Sequence, residues 1–133
     1  MSRRNAFTLI ELMIVVIIVA ILAASAVPIY RTMVSRAYSA EIDSGLSVFR
    51  TAERMYRAEH NEYTTQAGLE DGGLVGSNDF RDMRYISYSD YAIPASAADT
   101  YTIRWTRPGT GDVADYKYSQ VDMDQGGVIT RTP

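Results

Sequence analysis

The sequence predicts an α+β fold: a long, kinked N-terminal α-helix with a small antiparallel β-sheet packed on its C-terminal half. Three observations carry that reading. Residues 7–29 are an apolar run with one strong charge, Glu11; residues 30–56 place apolar side chains at helical spacing; and beyond residue 61 short alternating segments are separated by glycine-rich turns. At 133 residues the chain holds one small domain at most, and its 47% hydrophobic content is loaded towards the front. The order along the chain is a basic segment at 1–6, a hydrophobic helical segment at 7–29, an amphipathic continuation of that helix at 30–60, and a loop plus sheet at 61–133.

The first element is defined by length. The 23 positions from Phe7 to Ile29 make a helix roughly 35 Å long, enough to cross a hydrocarbon layer of about 30 Å. Arg3 and Arg4, an apolar stretch and Ala24-Ser25-Ala26 have the layout of a secretory signal peptide with a small-x-small cleavage site. The stretch is longer than the usual signal, however, and Glu11 sits early in it, where a charge is costly. A plain transmembrane anchor with Arg3 and Arg4 on the cytoplasmic side accounts for length and orientation, but leaves Glu11 unexplained.

MSRRNA followed by FTLIELMIVVIIVAILAASAVPIY resembles the class III leader and N-terminal helix of type IV pilins and of the pseudopilins of type II secretion. The resemblance is close over residues 1–30 and looser over the next thirty. It implies the pilin fold. It also implies cleavage between Ala6 and Phe7 by a prepilin peptidase on the cytoplasmic side, with N-methylation of the new Phe7 amine. Ala6 stands where that family usually has glycine, and alanine is small enough for a tight peptidase site. In hydrocarbon an isolated carboxylate costs several kcal/mol unless paired. The resemblance assigns Glu11 to assembly, meeting the Phe7 amine of a subunit already in a filament.

Pro28 lies near the end of the apolar run, where it removes one backbone hydrogen bond and crowds the preceding turn, so a kink is expected there. Beyond it Tyr30, Val34, Tyr38, Ile42, Phe49, Ala52 and Tyr56 fall on one stripe, with Ala37, Leu46 and Met55 beside it. The opposite face carries Arg31, Arg36, Asp43, Arg50, Arg54 and Arg57, and Glu53 stands one turn before Arg57 as an ion pair of a few tenths of a kcal/mol. Gly45 weakens the helix by roughly 1 kcal/mol and offers a place for close approach.

After His60 the pattern gives way to a glycine-rich loop over 68–78. Extended segments are expected at Tyr85–Tyr91, Tyr101–Thr106, Tyr116–Met123 and Val128–Thr130, with turns at 108–112 and 124–127. Tyr101, Ile103 and Trp105 alternate, so one sheet face is expected to cover the apolar stripe of the helix.

The chemistry the residues exclude is broad. A net charge of −3 counts Arg3 and Arg4; without them 11 basic groups face 16 acidic ones, a balance that disfavours direct nucleic-acid binding. Zero cysteines exclude disulfides and thiolate metal sites. No nucleophile elbow or phosphate-binding glycine motif is present, and the single histidine, His60, sits where it would serve a helix C-terminus. No enzyme activity and no cofactor are expected. Asp122-Met123-Asp124-Gln125-Gly126 opens like a calcium loop, but its twelfth position would be Pro133, so Asp112, Asp115, Asp122 and Asp124 are weak metal candidates only.

The sequence therefore reads as a structural filament subunit. By resemblance it is a type IV pilin held in the bacterial inner membrane, processed, and polymerised as a homo-oligomer into a surface fibre for adhesion, twitching motility or DNA uptake. Prepilin peptidase, an assembly ATPase and a platform protein are its implied partners. The alternative is a type II secretion pseudopilin in a short periplasmic piston fibre.

Overall fold

The computed structural model describes residues 7–97, 99–109 and 116–133. Helix α1 (Leu9–His60) contains 52 residues and passes through two compact units, one ending at Val34 and one running from Ser35 to Pro133. Within the first, α1 is the sole described element, and its side chains from residue 7 to Met33 are exposed. It continues through Pro28 without a break, so the proline is inside α1 rather than at the start of a separate helix. Ser25 and Thr32 turn their hydroxyls onto the carbonyls of Leu22 and Pro28 at 2.9 and 3.0 Å. These bonds hide hydroxyl polarity from an otherwise apolar surface.

The second unit builds a core on α1. Tyr38, Ile42, Leu46, Phe49 and Ala52 are buried at spacings of three and four, so the apolar stripe lies where the sequence placed it, with Leu46 at its centre. Tyr30 and Met55 remain exposed. The helix ends at Asn61, whose φ of 59° and N–H to Arg57 C=O bond of 2.8 Å make a left-handed cap. His60, in the last turn, stacks on Tyr56 with ring centroids 4.1 Å apart.

The segment after α1 is more ordered than its glycine content suggests. A short helix α2 (Gln66–Asp71) starts at Thr65, whose side chain accepts from the Gly68 N–H, and is followed by Gly73 at φ 66°. Single 3₁₀ turns follow at Ser77–Phe80 and Tyr88–Asp90.

Four strands form a meander in the order β1 (Tyr91–Ala97), β2 (Thr100–Thr106), β3 (Gln120–Asp124) and β4 (Ile129–Thr132), every pair antiparallel. Tyr101, Ile103 and Trp105 are buried on one face of β2. Opposite them in register, Val121 and Met123 of β3 are buried as well. On the other face Arg104 meets Asp122 through two bonds of 2.9 Å, a fork-shaped cross-strand ion pair.

Two strand expectations are corrected. Tyr85–Tyr91 is not a strand: Ser87 N–H bonds Asp90 Oδ2 at 2.8 Å, which closes a turn, and β1 begins only at Tyr91. β1 also carries Pro94, with a register shift between Ala92 and Ala95; proline has no N–H for a ladder, and an edge strand with a bulge accommodates it. The third strand starts four residues later than expected, at Gln120.

The helix is tied to the rest of the head by polar contacts, two of them from side chains that the helical wheel put on the solvent face, Asp43 and Arg50. Asp43 receives Arg131 of β4 at 2.7 Å, and Arg50 donates to the Gly126 carbonyl in the β3–β4 turn at 2.9 Å. Glu41 accepts from the N–H groups of Arg84 and Tyr85 at 3.2 and 2.8 Å, pinning the loop ahead of β1. Gly45 lets the Tyr91 ring lie against the helix backbone, where its hydroxyl donates to Ile42 C=O at 3.1 Å. The close approach expected at Gly45 is therefore made by the chain's own sheet.

Candidate functional site

The first turn of α1 shows how a charge is accommodated at the head of an apolar helix. Glu11 Oε2 accepts from Thr8 N–H and from the Thr8 hydroxyl, both at 2.9 Å, while the Glu11 N–H donates back to Thr8 Oγ1 at 3.3 Å. This is a reciprocal capping box: residue 8 flanks the helix, residue 11 is its third position, and each side chain satisfies a backbone N–H that the helix leaves unpaired. The carboxylate also sits where the helix dipole favours negative charge. Leu12 N–H closes the first backbone bond to Thr8 C=O at 3.3 Å.

Thr8 is the residue the sequence reading missed. Its signal was present as Thr8-Leu9-Ile10-Glu11, a Thr-x-x-Glu spacing directly ahead of an apolar run. Phe7 stands just before the helix and is 83% exposed. Ala6 lies outside the described residues.

From this turn onward the apolar surface has no cover. A window of α1 near the N-terminus has a mean hydropathy of 3.0 and none of it is buried, so by length and composition the helix can cross a membrane. Leu9, Ile10, Leu12, Met13 and the residues to Ile29 form an exposed apolar surface far larger than soluble monomers display.

The remaining candidates are dispersed. Both oxygens of Asp122 are taken by Arg104, and Gln120 adds a bond of 2.8 Å to Oδ2; Asp124 Oδ1 accepts the Val128 N–H at 2.9 Å inside the β3–β4 turn. Asp112 and Asp115 lie outside the described residues. Among the described residues no three histidine or carboxylate side chains gather as a metal site would require. Two shallow surface clefts, one along Ser44, Ser47 and Thr51 and one beside Met83 and Tyr88, bring no acid, base and nucleophile together.

The second unit contains one carboxylate in an unusual setting. Glu53 is fully buried, with Oε2 accepting the Thr64 N–H at 3.2 Å and Oε1 without a hydrogen-bond partner. Burial pushes its pKa up to about 6, against the smaller opposing pull of the Thr64 bond. Arg57, one turn further on, reaches Asp99 at 3.3 Å.

Comparison with known proteins bears on the same N-terminal region. Residues 1–27 match the prokaryotic N-terminal methylation motif. The type IV major pilin protein PilA of Myxococcus xanthus is 35% identical over 97 residues, which cover 73% of this chain and 40% of the relative. A type IV major fimbrial protein FimA of Dichelobacter nodosus is 42% identical over 83 residues, covering 56% of this chain and 51% of the relative. The prepilin peptidase-dependent protein D of Escherichia coli is 34% identical over 87 residues, 65% of this chain and 57% of the relative. The chain spans about half the length of the curated relatives it matches. With the methylation motif, the apolar helix and the antiparallel sheet that follows it, the chain belongs to the family of type IV pilins and pseudopilins.

Proposed function

We propose that the chain is a structural subunit of a type IV pilus. It is inserted in the bacterial inner membrane through residues 7–29, cut between Ala6 and Phe7 by a prepilin peptidase and methylated at Phe7. It is then polymerised through its N-terminal helix into an extracellular filament, with an assembly ATPase and a platform protein as partners. The observation that carries the reading is the bare apolar half of α1 headed by a single carboxylate, within the segment that matches the methylation motif.

The physical logic is one of exchanged environments. In the bilayer the apolar surface is covered by lipid; once extracted, it must be buried against equivalent surfaces of other copies, which a helical array of identical subunits supplies. Glu11 then meets the Phe7 amine of a neighbouring subunit, an ion pair strengthened by the low dielectric around it. Pro28 is the point at which the helix bends or loosens on packing. The 30–60 half of α1 belongs to the head, and residues 61–133 complete it.

Electron microscopy of sheared surface fractions, with mass spectrometry of the fibre protein, tests the proposal. Long fibres whose subunit begins with N-methylated Phe7 are expected. A subunit beginning at Val27, or fibres lacking this chain, would refute it; confinement to short periplasmic assemblies would assign the chain to the pseudopilin branch instead. Glu11→Ala is expected to insert and be cleaved while fibre yield collapses, and normal yield would remove Glu11 from the assembly step.

A further inference from the structure

We propose that a cluster of tyrosines and unpaired cations, built in the head from α1 around Tyr38, the 81–86 loop and the segment ahead of β3, is a contact surface for the anionic phospholipid headgroups of the membrane that anchors the chain. That a membrane is there rests on the pilus-subunit reading above; the surface rests on the packing of the head itself.

Tyr38 is the hub. Its ring meets Tyr85 edge-on at 4.6 Å and Tyr116 at 6.0 Å, and Tyr116 in turn meets Tyr118 at 5.5 Å. Tyr38 and Tyr116 are buried and fix the platform, whereas Tyr85 and Tyr118 keep part of their surface open to solvent. A cation lies over each of these two rings: the Arg84 guanidinium 5.3 Å from the Tyr85 centroid, and the Lys117 ammonium 4.6 Å from that of Tyr118. Arg107 donates to the Tyr116 carbonyl, and Arg36 is exposed one turn before Ser39, whose hydroxyl meets that of Tyr116. Among the described residues none of these four cations forms an ion pair. Against them stand Glu41, with both oxygens engaged by the N–H groups of Arg84 and Tyr85, and the exposed Asp82, so the balance among the described residues is positive.

Tyrosine collects at membrane–water interfaces because its ring suits the apolar side and its hydroxyl the wet one, and each basic side chain beside an anionic leaflet strengthens binding about fivefold. The place in the chain agrees with this chemistry. Tyr30 and Arg31 follow the apolar run directly and are exposed, and Tyr38 comes nine residues after Ile29 in the same unbroken helix. Beyond Glu11 the chain carries 11 basic and 15 acidic side chains, so an anionic bilayer repels the head as a whole. Only a local excess of cations can then select the side that turns towards lipid. A weak contact is enough, because the span already holds the head at high effective concentration beside the bilayer. The surface therefore orients the waiting subunit and is released when the chain leaves the membrane.

The full-length chain in phosphatidylcholine nanodiscs, with and without phosphatidylglycerol and with a gadolinium-chelating headgroup lipid in both, reports the contact by paramagnetic broadening of its amides. Phosphatidylglycerol is expected to broaden the amides of 81–86 and 116–119 selectively, and high salt to remove the effect. Arg84→Gln combined with Lys117→Gln is expected to keep the urea midpoint of the parent while the ratio of docked to free heads falls about 25-fold, about fivefold per cation. Arg54→Gln, which removes an exposed cation elsewhere on α1, is expected to leave that ratio unchanged. Broadening that ignores phosphatidylglycerol or salt in the parent chain, or that Arg54→Gln reduces as much as the double substitution, would overturn the inference. So would a surface that becomes covered only in assembled fibres, which would give it to a second copy. Failure of the underlying reading looks different: amides of residues 9–29 that exchange hydrogen freely would show that the chain does not insert, and both would fall. A protected span beside an unaltered cluster removes this inference alone.

Discussion

Replacing Glu53 with glutamine should stabilise the head at neutral pH, and the gain should vanish in mild acid. Glu53 is 0% exposed and has a single hydrogen bond, from Thr64 N–H, so its charged form has lost most of its hydration without a matching partner. Its carboxyl titrates near 4.5 in an unfolded chain and at about 6 in the folded one. Between those values the folded state binds more proton than the unfolded state, so stability falls as pH rises through that window and the loss is complete above about 6. At about 1.4 kcal/mol per pH unit the difference amounts to about 2 kcal/mol. A raw pH profile would mix this effect with every other titration in the unit. Comparing Glu53→Gln with the parent cancels the common terms. Urea unfolding of the Ser35–Pro133 unit should show the glutamine variant more stable by about 2 kcal/mol at about pH 7.5, with the gap closing by that amount near pH 4.5. A gap that stays constant with pH would show that Glu53 is not held as a buried, poorly solvated acid, and the reasoning would fail.

Gly45→Ala gains about 1 kcal/mol of helix propensity, yet it should destabilise the head by about 1–3 kcal/mol in the same unfolding assay. The new Cβ would fall on the Tyr91 ring and displace a hydroxyl now bonded to Ile42 C=O. A neutral or stabilising result would show that the ring moves aside at little cost. Asp43→Asn should cost only about 0.5–1 kcal/mol, because both partners of the Arg131 ion pair are partly exposed, and the cost should shrink in high salt. A loss independent of ionic strength would assign the effect to packing instead.

How much of this was legible depended on whether a pattern or a partner carried the information. The helix from the apolar run through Phe49 and Ala52 could be read because burial repeats every three or four residues. β2 could be read because Tyr101, Ile103 and Trp105 alternate strictly. β1 could not: Pro94 argues against a strand, and only an edge position with a bulge removes the objection, which requires knowing the sheet order. Charges were read least well. Asp43 and Arg50 looked like a solvated helix face, but both reach across to the β3–β4 hairpin, more than seventy residues away. Glu53 stands four residues after Phe49 and seven after Leu46, on the buried face of α1, and its partner Thr64 comes from beyond the end of the helix. In the first turn of α1 the charge of Glu11 stands out against the apolar run, whereas Thr8, which holds it, is uncharged and blends into that run.

The meander order of the sheet has a kinetic meaning. Each strand pairs with the one next to it in sequence, so the sheet can zip from successive hairpins without closing a long loop, and short-range pairings of this kind form fast. Docking of the sheet onto α1 is long-range by comparison: the Asp43 to Arg131 contact joins positions 88 residues apart. That contact cannot form until β4 is available to the helix. A copy that lacks β4 is left without the Arg131 partner of Asp43.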